Sequence, residues 1–184
     1  MKLVPTRLPE VIEILPVRRG DDRGWFSELY RRDVLEAAGL HIDFVQDNES
    51  FSATPGTLRG IHYQLAPFVQ VKLVRVVRGA VVDVAVDLRR SSSTFGEHVA
   101  VTLTADAGNQ LLVPAGFGHA FCTLEPDTQV GYKVTAVYSP ESERSVRWND
   151  PTLAIPWELG GQHPTLSDRD AAAPLLVDQP DLFD

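Results

Sequence analysis

Cysteine is almost absent from this chain of 184 residues, in which Cys122 stands alone. A single cysteine excludes an intrachain disulfide and a zinc site built from several thiolates, so we predict that Cys122 is a small core residue. The first residues also lack the apolar segment of a signal peptide. Because a free thiol suits a reducing compartment, a cytoplasmic location is expected.

Long apolar runs and an excess of positive charge are missing as well. No stretch approaches the roughly 18 consecutive apolar residues of a membrane-spanning helix, so no association with a membrane is predicted. The formal net charge is −8. Nucleic-acid binding needs a clustered excess of lysine and arginine, so this charge argues against a nucleic-acid partner. A small anionic ligand remains compatible with it.

The length and composition favour one globular domain over residues 1–184. Hydrophobic residues make up 43% of the chain and charged residues 23%, as in ordinary globular proteins, and no low-complexity tract interrupts them. Residues 151–184 show little alternation and are too few to bury a core of their own. We therefore expect them to form a loop-rich segment that packs on the rest of the domain.

Helix signals are scarce. One segment has them, with Asp33 as N-cap, Glu36 as its capping-box partner and Gly39 as the left-handed residue that ends a short helix. Elsewhere, short runs of β-branched and aromatic residues are separated by turn residues, which is typical of a sandwich or closed barrel. Strands are predicted near residues 24–30, 44–52, 58–65, 70–78, 80–88, 97–104, 110–113, 118–124, 129–137 and 143–148. The predicted fold is an all-β, cupin-type double-stranded β-helix (jelly roll) with one or few short helices and a ligand cavity.

Alternation predicts which side chains face the interior of this barrel. In the sequence VVDVAVDLR, valine and leucine share one face, while Asp83 and Asp87 lie on the other, so one buried face is predicted. The same argument turns Lys72 inward on its strand. It also turns Tyr132 inward, where a buried hydroxyl needs a hydrogen-bond partner.

Histidines two residues apart are also missing. Jelly-roll proteins that bind a metal use such a pair together with a carboxylate. Where the pair would stand, this chain has His62, Tyr63 and Gln64, which leaves His62 and His119 as the inward candidates. We therefore predict no metal site and no cofactor.

Lysine is the last scarce residue, with three lysines against fourteen arginines. Lys72 lies inside an apolar run where burial of a cation is costly, which makes it a candidate for chemistry. His62 is a candidate general base because its ordinary pKa of about 6.5 allows it to take a proton at neutral pH; a hydrogen-bonded structural histidine is the alternative. Lys72 could then stabilise an enolate oxygen, and Tyr132 could return a proton from the opposite side.

Two arginines next to glycine are candidates for phosphate contacts. They are Arg23 in DDRGWFSE and Arg59 in LRGIHYQ, and for each of them a surface ion pair is the alternative. Strict alternation puts Arg59 and His62 on opposite faces of one strand. A shared cavity therefore requires a bulge, for which Gly60 is the natural position.

These residues belong to a series of ordered motifs by which the chain resembles the dTDP-4-dehydrorhamnose 3,5-epimerases, metal-free cupins that act on nucleotide-linked deoxysugars. The resemblance spans about residues 20 to 174. Its motifs are DDRGWFSE, QDNESFS, GTLRGIHYQ, QVKLVRVVRGAVVDVAVDLR, STFGEH, VPAGFGHAF, YSPESERSVRWNDPTLAIPW and LSDRDAAAP.

The resemblance implies a role for each site residue. His62 is the general base, held by a carboxylate that the LSDRD motif places at Asp170, with Asp168 as the alternative. Lys72 stabilises the enolate, and Tyr132 is the acid. The implied substrate-binding residues are Arg23, Phe26, Glu28, Gln46, Asn48 and Arg59 for the nucleotide, His119 in the pocket, and Tyr138 and Glu143 at its edge. Some nucleotide contacts in this family come from the partner subunit, so a homodimer is expected.

The implied activity is the epimerisation of a dTDP-4-keto-6-deoxyhexose at carbons 3 and 5. The ketone at carbon 4 acidifies both hydrogens, so each can leave to a base while charge moves onto oxygen. Three alternatives remain. Relatives invert only carbon 3 or only carbon 5, a ketoisomerase moves the carbonyl between carbons 4 and 3, and a binding module holds the sugar nucleotide without catalysis. The set of His62, Lys72, Tyr132 and Asp170 argues against the last two.

Overall fold

Thirteen short strands account for most of the regular structure in the computed structural model, which describes residues 1–184. The strands are β1 (Lys2–Pro5), β2 (Ile12–Leu15), β3 (Arg18–Asp21), β4 (Gly24–Ser27), β5 (Gln46–Ser52), β6 (Leu58–Gln64), β7 (Lys72–Arg78), β8 (Ala80–Asp87), β9 (His98–Thr104), β10 (Gln110–Val113), β11 (Phe117–Thr123), β12 (Thr128–Val134) and β13 (Glu143–Ser145). The helices are α1 (Arg32–Ala37) and α2 (Asp168–Ala171), followed by a 3₁₀ turn over Leu176–Asp178.

Two antiparallel sheets form the two layers of the predicted jelly roll. One has the strand order β1-β2-β10-β7-β12-β5, and the other has the order β13-β6-β11-β8-β9. Apolar side chains from both sheets meet in a shared core, for example Val74 and Val130 from the first with Ala85 and Phe121 from the second. A separate hairpin, β3–β4, pairs with neither sheet. The all-β jelly roll predicted from the sequence is confirmed.

Strand β8 differs from the prediction because both of its faces are buried. Its even-numbered valines pack on the outside of the five-stranded sheet, against the C-terminal segment. Its other face, which carries Asp83 and Ala85, points into the barrel. The prediction of a single buried face was wrong because the C-terminal segment covers the sheet surface that would otherwise meet water.

Residues 151–184 contribute directly to that outer core. Leu153, Trp157 and Leu176 are buried in it. The carboxylate of Asp150, itself buried, accepts hydrogen bonds from the backbone N–H groups of residues 152, 153 and 176. The segment therefore runs along the five-stranded sheet from a fixed starting point, and α2 lies against β6.

Helix α1 begins earlier than predicted. Its N-cap is Arg31 rather than Asp33, and no side chain caps it. The Asp33 carboxylate binds the Arg31 guanidinium instead, so the capping box with Glu36 does not form. The other end agrees with the prediction, because Gly39 has a φ of +82° and closes the helix. No helix is long and apolar enough to cross a membrane.

Strands β1, β2 and β3 were not predicted. Each has four residues, too few to display a clear alternation. Strand β1 ends at Pro5 and lies at the edge of its sheet, a position in which proline costs no ladder hydrogen bond. The other strands appear where the sequence predicted them, but three end early. The strand starting at Gly24 ends at Ser27, the strand in the region 129–137 ends at Val134, and the strand in the region 143–148 ends at Ser145.

Candidate active site

A cavity of about 460 Å³ lies between the two sheets and the C-terminal segment. It adjoins a second chamber of about 240 Å³, and His62, Lys72 and Tyr132 line both. Asp170 completes the wall of the larger chamber. The four residues proposed for catalysis from the sequence, which lie on β6, β7, β12 and α2, therefore meet at one place.

A bulge at Gly60 brings Arg59 and His62 to the same cavity. On β11, the partners of these two residues are Phe121 and His119, so three residue steps on β6 oppose two on β11. Gly60 has a φ of +123°, and a Cβ atom there would lie 2.5 Å from the Cβ of Ala120. The predicted bulge is confirmed, and only glycine fits its position.

His62 is paired with Asp170. The distance between His62 Nε2 and Asp170 Oδ1 is 2.5 Å, and the Asp170 side chain is almost completely buried. Burial raises the pKa of Asp170, but hydrogen bonds from His62, Ser167 and the Gly60 N–H outweigh it and hold this pKa below its ordinary value. The carboxylate is therefore ionised at neutral pH. Asp168, the alternative considered from the sequence, is exposed on the same helix.

Lys72 is a buried cation without a carboxylate in contact. Its Nζ lies 3.5 Å from the carbonyl oxygen of His62, which places the ammonium beside the dyad. Burial lowers the pKa of Lys72 to about 8, against smaller opposing effects of Glu143 and Asp83. The side chain is thus mostly charged at neutral pH and has hydrogen-bonding capacity left for a ligand.

Tyr132 points into the barrel, as the alternation on its strand predicted, and packs against the shared core. Burial raises its pKa, and the nearby Arg59 only partly offsets this effect. The phenol therefore remains protonated at neutral pH and can donate a proton.

A second histidine–carboxylate pair lies in the same wall. His119 Nε2 is 2.8 Å from Asp83 Oδ1, and both side chains are buried. The other carboxylate oxygen of Asp83 has no hydrogen-bond partner. His119 and His62 are directly opposite each other on β11 and β6. No group of three or more histidine, cysteine, aspartate or glutamate side chains is arranged to hold a metal ion.

The rim of the smaller chamber is a polar cluster. Tyr138 Oη donates to Glu143 Oε2 at 2.6 Å, and Arg169 Nη1 donates to the same oxygen at 2.5 Å. Gln46 and Asn48 line this chamber from β5 and are hydrogen-bonded to each other. Burial raises the pKa of Glu143, but the bonds from Arg169 and Tyr138 outweigh it and keep the carboxylate ionised.

Three predicted nucleotide-binding residues lie outside the cavity. Arg23 is 89% exposed and binds Asp21 within its own hairpin, and Phe26 is 67% exposed. Glu28 forms an ion pair with Arg31, in which Oε1 of Glu28 lies 3.6 Å from Nη1 of Arg31. None of the three lines the cavity of its own chain, whereas Gln46, Asn48 and Arg59 do.

Sequence reasoning missed two charged residues of the site. Asp83 was assigned only to a strand face, although an aspartate within an apolar strand, without a turn beside it, is a signal of a buried and partnered group. Arg169 precedes Asp170 and lines the larger chamber. Its position next to a predicted site residue was the available signal.

Comparisons with known proteins show which family the chain resembles over its length. Residues 5–178 match the dTDP-4-dehydrorhamnose 3,5-epimerase family. A dTDP-4-dehydrorhamnose 3,5-epimerase from Sinorhizobium fredii is 47% identical over 176 residues, which cover 96% of this chain and 90% of the relative. A crystal structure of the Bacillus anthracis epimerase with TDP and PPi bound is 48% identical, with a TM-score of 0.91 over 95% of this chain and 98% of that one.

Two further structures show that similar proteins differ in activity. A 3,5-epimerase from Legionella pneumophila in complex with dTDP-4-keto-L-rhamnose is 44% identical, with a TM-score of 0.91 over 96% of this chain and 93% of that one. A 3′-monoepimerase from Streptomyces bikiniensis in complex with dTDP-quinovose is 37% identical, with a TM-score of 0.86 over 94% and 87%. With a match over nearly its whole length and a jelly roll of the same shape, this chain belongs to the dTDP-4-dehydrorhamnose 3,5-epimerase family.

Proposed function

We propose that this protein is an isomerase that epimerises a dTDP-4-keto-6-deoxyhexose at carbons 3 and 5. The observation that carries the proposal is the convergence of His62, Lys72, Tyr132 and Asp170 on one cavity. The relatives that it resembles over nearly their full length have names that state the same reaction. A cytoplasmic location, which suits the free thiol of Cys122, is part of the proposal.

The first step is removal of a proton by His62. The Nε2–H group donates to the ionised Asp170, which fixes the imidazole tautomer and leaves Nδ1 to accept a proton. Asp170 also stabilises the imidazolium that forms. The electron pair of the broken C–H bond forms a double bond to carbon 4. The π electrons of the carbon 4 carbonyl move onto its oxygen, which gives an enolate.

The second step returns a proton from the other face. Lys72 stabilises the enolate oxygen, and its effect is large because the cavity wall around it is poor in water. Tyr132 donates its phenolic proton to the carbon from the side opposite His62, and the centre is inverted. His62 then releases its proton to solvent and Tyr132 takes one up from solvent, which restores both groups for the same two steps at the second carbon. No oxidant or reductant is consumed.

Binding of the nucleotide involves two subunits in this proposal. Gln46, Asn48 and Arg59 stand at the cavity of their own chain, with His119 inside it and Tyr138 and Glu143 at its rim. Arg23, Phe26 and Glu28 do not line it: Arg23 and Phe26 are exposed, and Glu28 pairs with Arg31. We infer a homodimer in which these three residues reach the cavity of the partner.

Label incorporation from deuterated water tests the activity. The protein is incubated with dTDP-4-keto-6-deoxyglucose in D₂O, and the positions of the label are determined by NMR. Label at carbons 3 and 5 is expected. Label at one carbon would identify a single-centre epimerase, and movement of the carbonyl to carbon 3 a ketoisomerase. Binding without any label would leave only a sugar-nucleotide binding module.

The variant His62→Ala tests the base. Its rate of exchange should fall at least about a hundredfold, because a positioned general base contributes that much or more. Affinity for dTDP, measured by calorimetry, should stay close to that of the wild type. His41→Ala, which alters an exposed histidine in a loop, is the control. Exchange at the wild-type rate in His62→Ala would show that another group is the base.

A further inference from the structure

Ser167 caps the short helix that carries Asp170. It has the extended backbone of an N-cap residue, and its Oγ accepts a hydrogen bond from the Asp170 N–H at 3.2 Å. A serine followed three residues later by an acidic residue has the spacing of a capping box. In such a box the acidic side chain turns back to the cap. Here the Asp170 carboxylate points to His62 instead, at 2.5 Å.

Helix α2 cannot hold this position by itself. It has four residues, far fewer than a helix needs for stability in isolation. Past its C-terminal end, Arg147 fixes the chain through its Nε, which donates to the carbonyl of Ala173 at 2.8 Å, and through its own N–H, which donates to Pro174. At the N-terminal end the side-chain contact is that of Ser167. Two residues before Ser167, Thr165 forms backbone hydrogen bonds with Gly56 and Leu58. Between these fixed points, the serine hydroxyl contributes to the orientation of the turn.

We propose that Ser167 is a positioning residue for the His62–Asp170 dyad, which directs the carboxylate to the imidazole and sets how tightly the dyad holds a proton. The inference rests on the proposed function of His62 as base. A hydroxyl accepts one hydrogen bond while donating another, so Ser167 can hold the Asp170 N–H and still donate to its carboxylate. A donor to a carboxylate stabilises its ionised form.

The hydrogen bond from Ser167 is one of those that hold the pKa of Asp170 below its ordinary value against the opposing effect of burial. Other charged or titratable groups face the dyad from the surrounding strands and from α2. They are Arg59, Lys72, His119, Tyr132, Glu143 and Arg169. None of them has a hydrogen bond to Asp170, whereas the Ser167 hydroxyl is in hydrogen-bond contact with the Asp170 N–H.

The variant Ser167→Ala gives the test. Without the hydroxyl, the carboxylate loses a donor and becomes more basic, and the dyad titrates as one unit. The acidic limb of the profile of kcat/KM against pH should therefore move to higher pH. The imidazole titration of His62, followed by NMR in the free protein, should move in the same direction. We expect kcat to fall about tenfold, with KM nearly unchanged, because the loss of an N-cap contact is of that size.

Two variants separate positioning from folding. Ser167→Thr keeps a hydroxyl that caps helices well and should restore both the pH profile and kcat. Asp168→Asn removes a charge from the same helix at an exposed position and should leave the titration unchanged. Thermal unfolding of each variant checks that the fold is intact.

The results distinguish this inference from the proposed function. If the imidazole titration of Ser167→Ala equals that of the wild type, or if Ser167→Thr behaves like the alanine variant, the inference is wrong. A shift to lower pH would show that the lost position of the carboxylate outweighs the lost donor, which supports the positioning role. If the wild type incorporates no deuterium, the epimerase proposal is wrong. The NMR titration still decides the role of Ser167 in that case, because it requires no substrate.

Discussion

At the scale of a single residue, the buried charge of Lys72 lowers the stability of the folded protein. Burial lowers its pKa from 10.5 to about 8, so between these pH values the unfolded chain binds a proton that the folded protein has released. Stability contributed by this group therefore rises as pH increases through that interval. At neutral pH the folded protein holds the charge at a cost of about 3 kcal/mol.

Replacement of Lys72 by methionine should lower the activity of the protein and raise its stability. Deuterium exchange should fall at least about a hundredfold, because the developing oxyanion loses its cation. The free energy of unfolding at pH 7, from urea denaturation, should rise by about 1–3 kcal/mol, since no charge is buried. This gain should disappear by about pH 10.5, where lysine is neutral in both states.

Lys133→Met is the matched control. Lys133 lies on β12, is partly exposed and pairs with Asp47, so its removal should change neither exchange nor stability by much. A Lys72→Met protein that is less stable than the wild type at pH 7 would contradict the stability argument. One with undiminished exchange would contradict the catalytic argument.

At the scale of the element, the bulge in β6 decides which side chains share the cavity. Without the extra residue, the side chains of Arg59 and His62 would point to opposite faces of the sheet. The bulge requires a positive φ and a close approach to β11, and Gly60 satisfies both conditions. Strand β6 therefore departs from regular pairing at the position that brings Arg59 and His62 to one cavity.

The variant Gly60→Ala should be strongly destabilised. Its methyl group would lie 2.6 Å from the carbonyl oxygen of His119 and 2.5 Å from the Cβ of Ala120, in addition to the cost of φ. We expect a loss of about 3 kcal/mol or more in unfolding free energy, or insoluble protein.

Gly24→Ala isolates the effect of the backbone. Gly24 has a φ of +129°, close to that of Gly60, but nothing lies within 4 Å of an added Cβ atom. Its alanine variant should therefore lose only about 1 kcal/mol. Equal losses in the two variants, measured by thermal or urea unfolding, would show that the contact with β11 is unimportant.

At the scale of the whole molecule, the β3–β4 hairpin is held away from its own cavity. The guanidinium of Arg18 donates to the backbone carbonyls of Ala105 and Asp106 and stacks 4.1 Å from the ring centre of Trp25. These contacts fix the base of the hairpin on the barrel, and its tip, with Arg23, extends into solvent. Such a hairpin fits the role of an arm that reaches a second subunit.

Mixing two inactive variants tests this arrangement. His62→Ala and Arg23→Ala are each expected to lose activity as homodimers. After they are unfolded and refolded together, half of the dimers are mixed, and each mixed dimer has one complete site if Arg23 acts on the partner's cavity. Activity should then recover to about a quarter of the wild-type value. If Arg23 acted within its own chain, mixing would restore nothing, and the proposed dimer would be wrong.

Much of the site followed from local patterns. Alternation indicated that Lys72 and Tyr132 face inward, and the conflict in parity between Arg59 and His62 indicated a bulge at Gly60. The motif LSDRD gave Asp170 only through resemblance to a family, because no local rule connects residue 170 to residue 62. The N-cap of α1 was misplaced since the Arg31 side chain competes for Asp33, a contact that propensity alone does not reveal.

The sequence by itself determined the class of fold and offered His62, Lys72 and Tyr132 as candidate reacting groups, because the period of apolar residues and the chemical nature of side chains are local properties. Tertiary structure decided which of these groups meet. It turned Asp83 into a partner of His119, buried the second face of β8 under residues 151–184, and carried the α2 turn to β6. Each of these depends on contacts between segments far apart in the chain, whose geometry is set by the packing of the whole barrel.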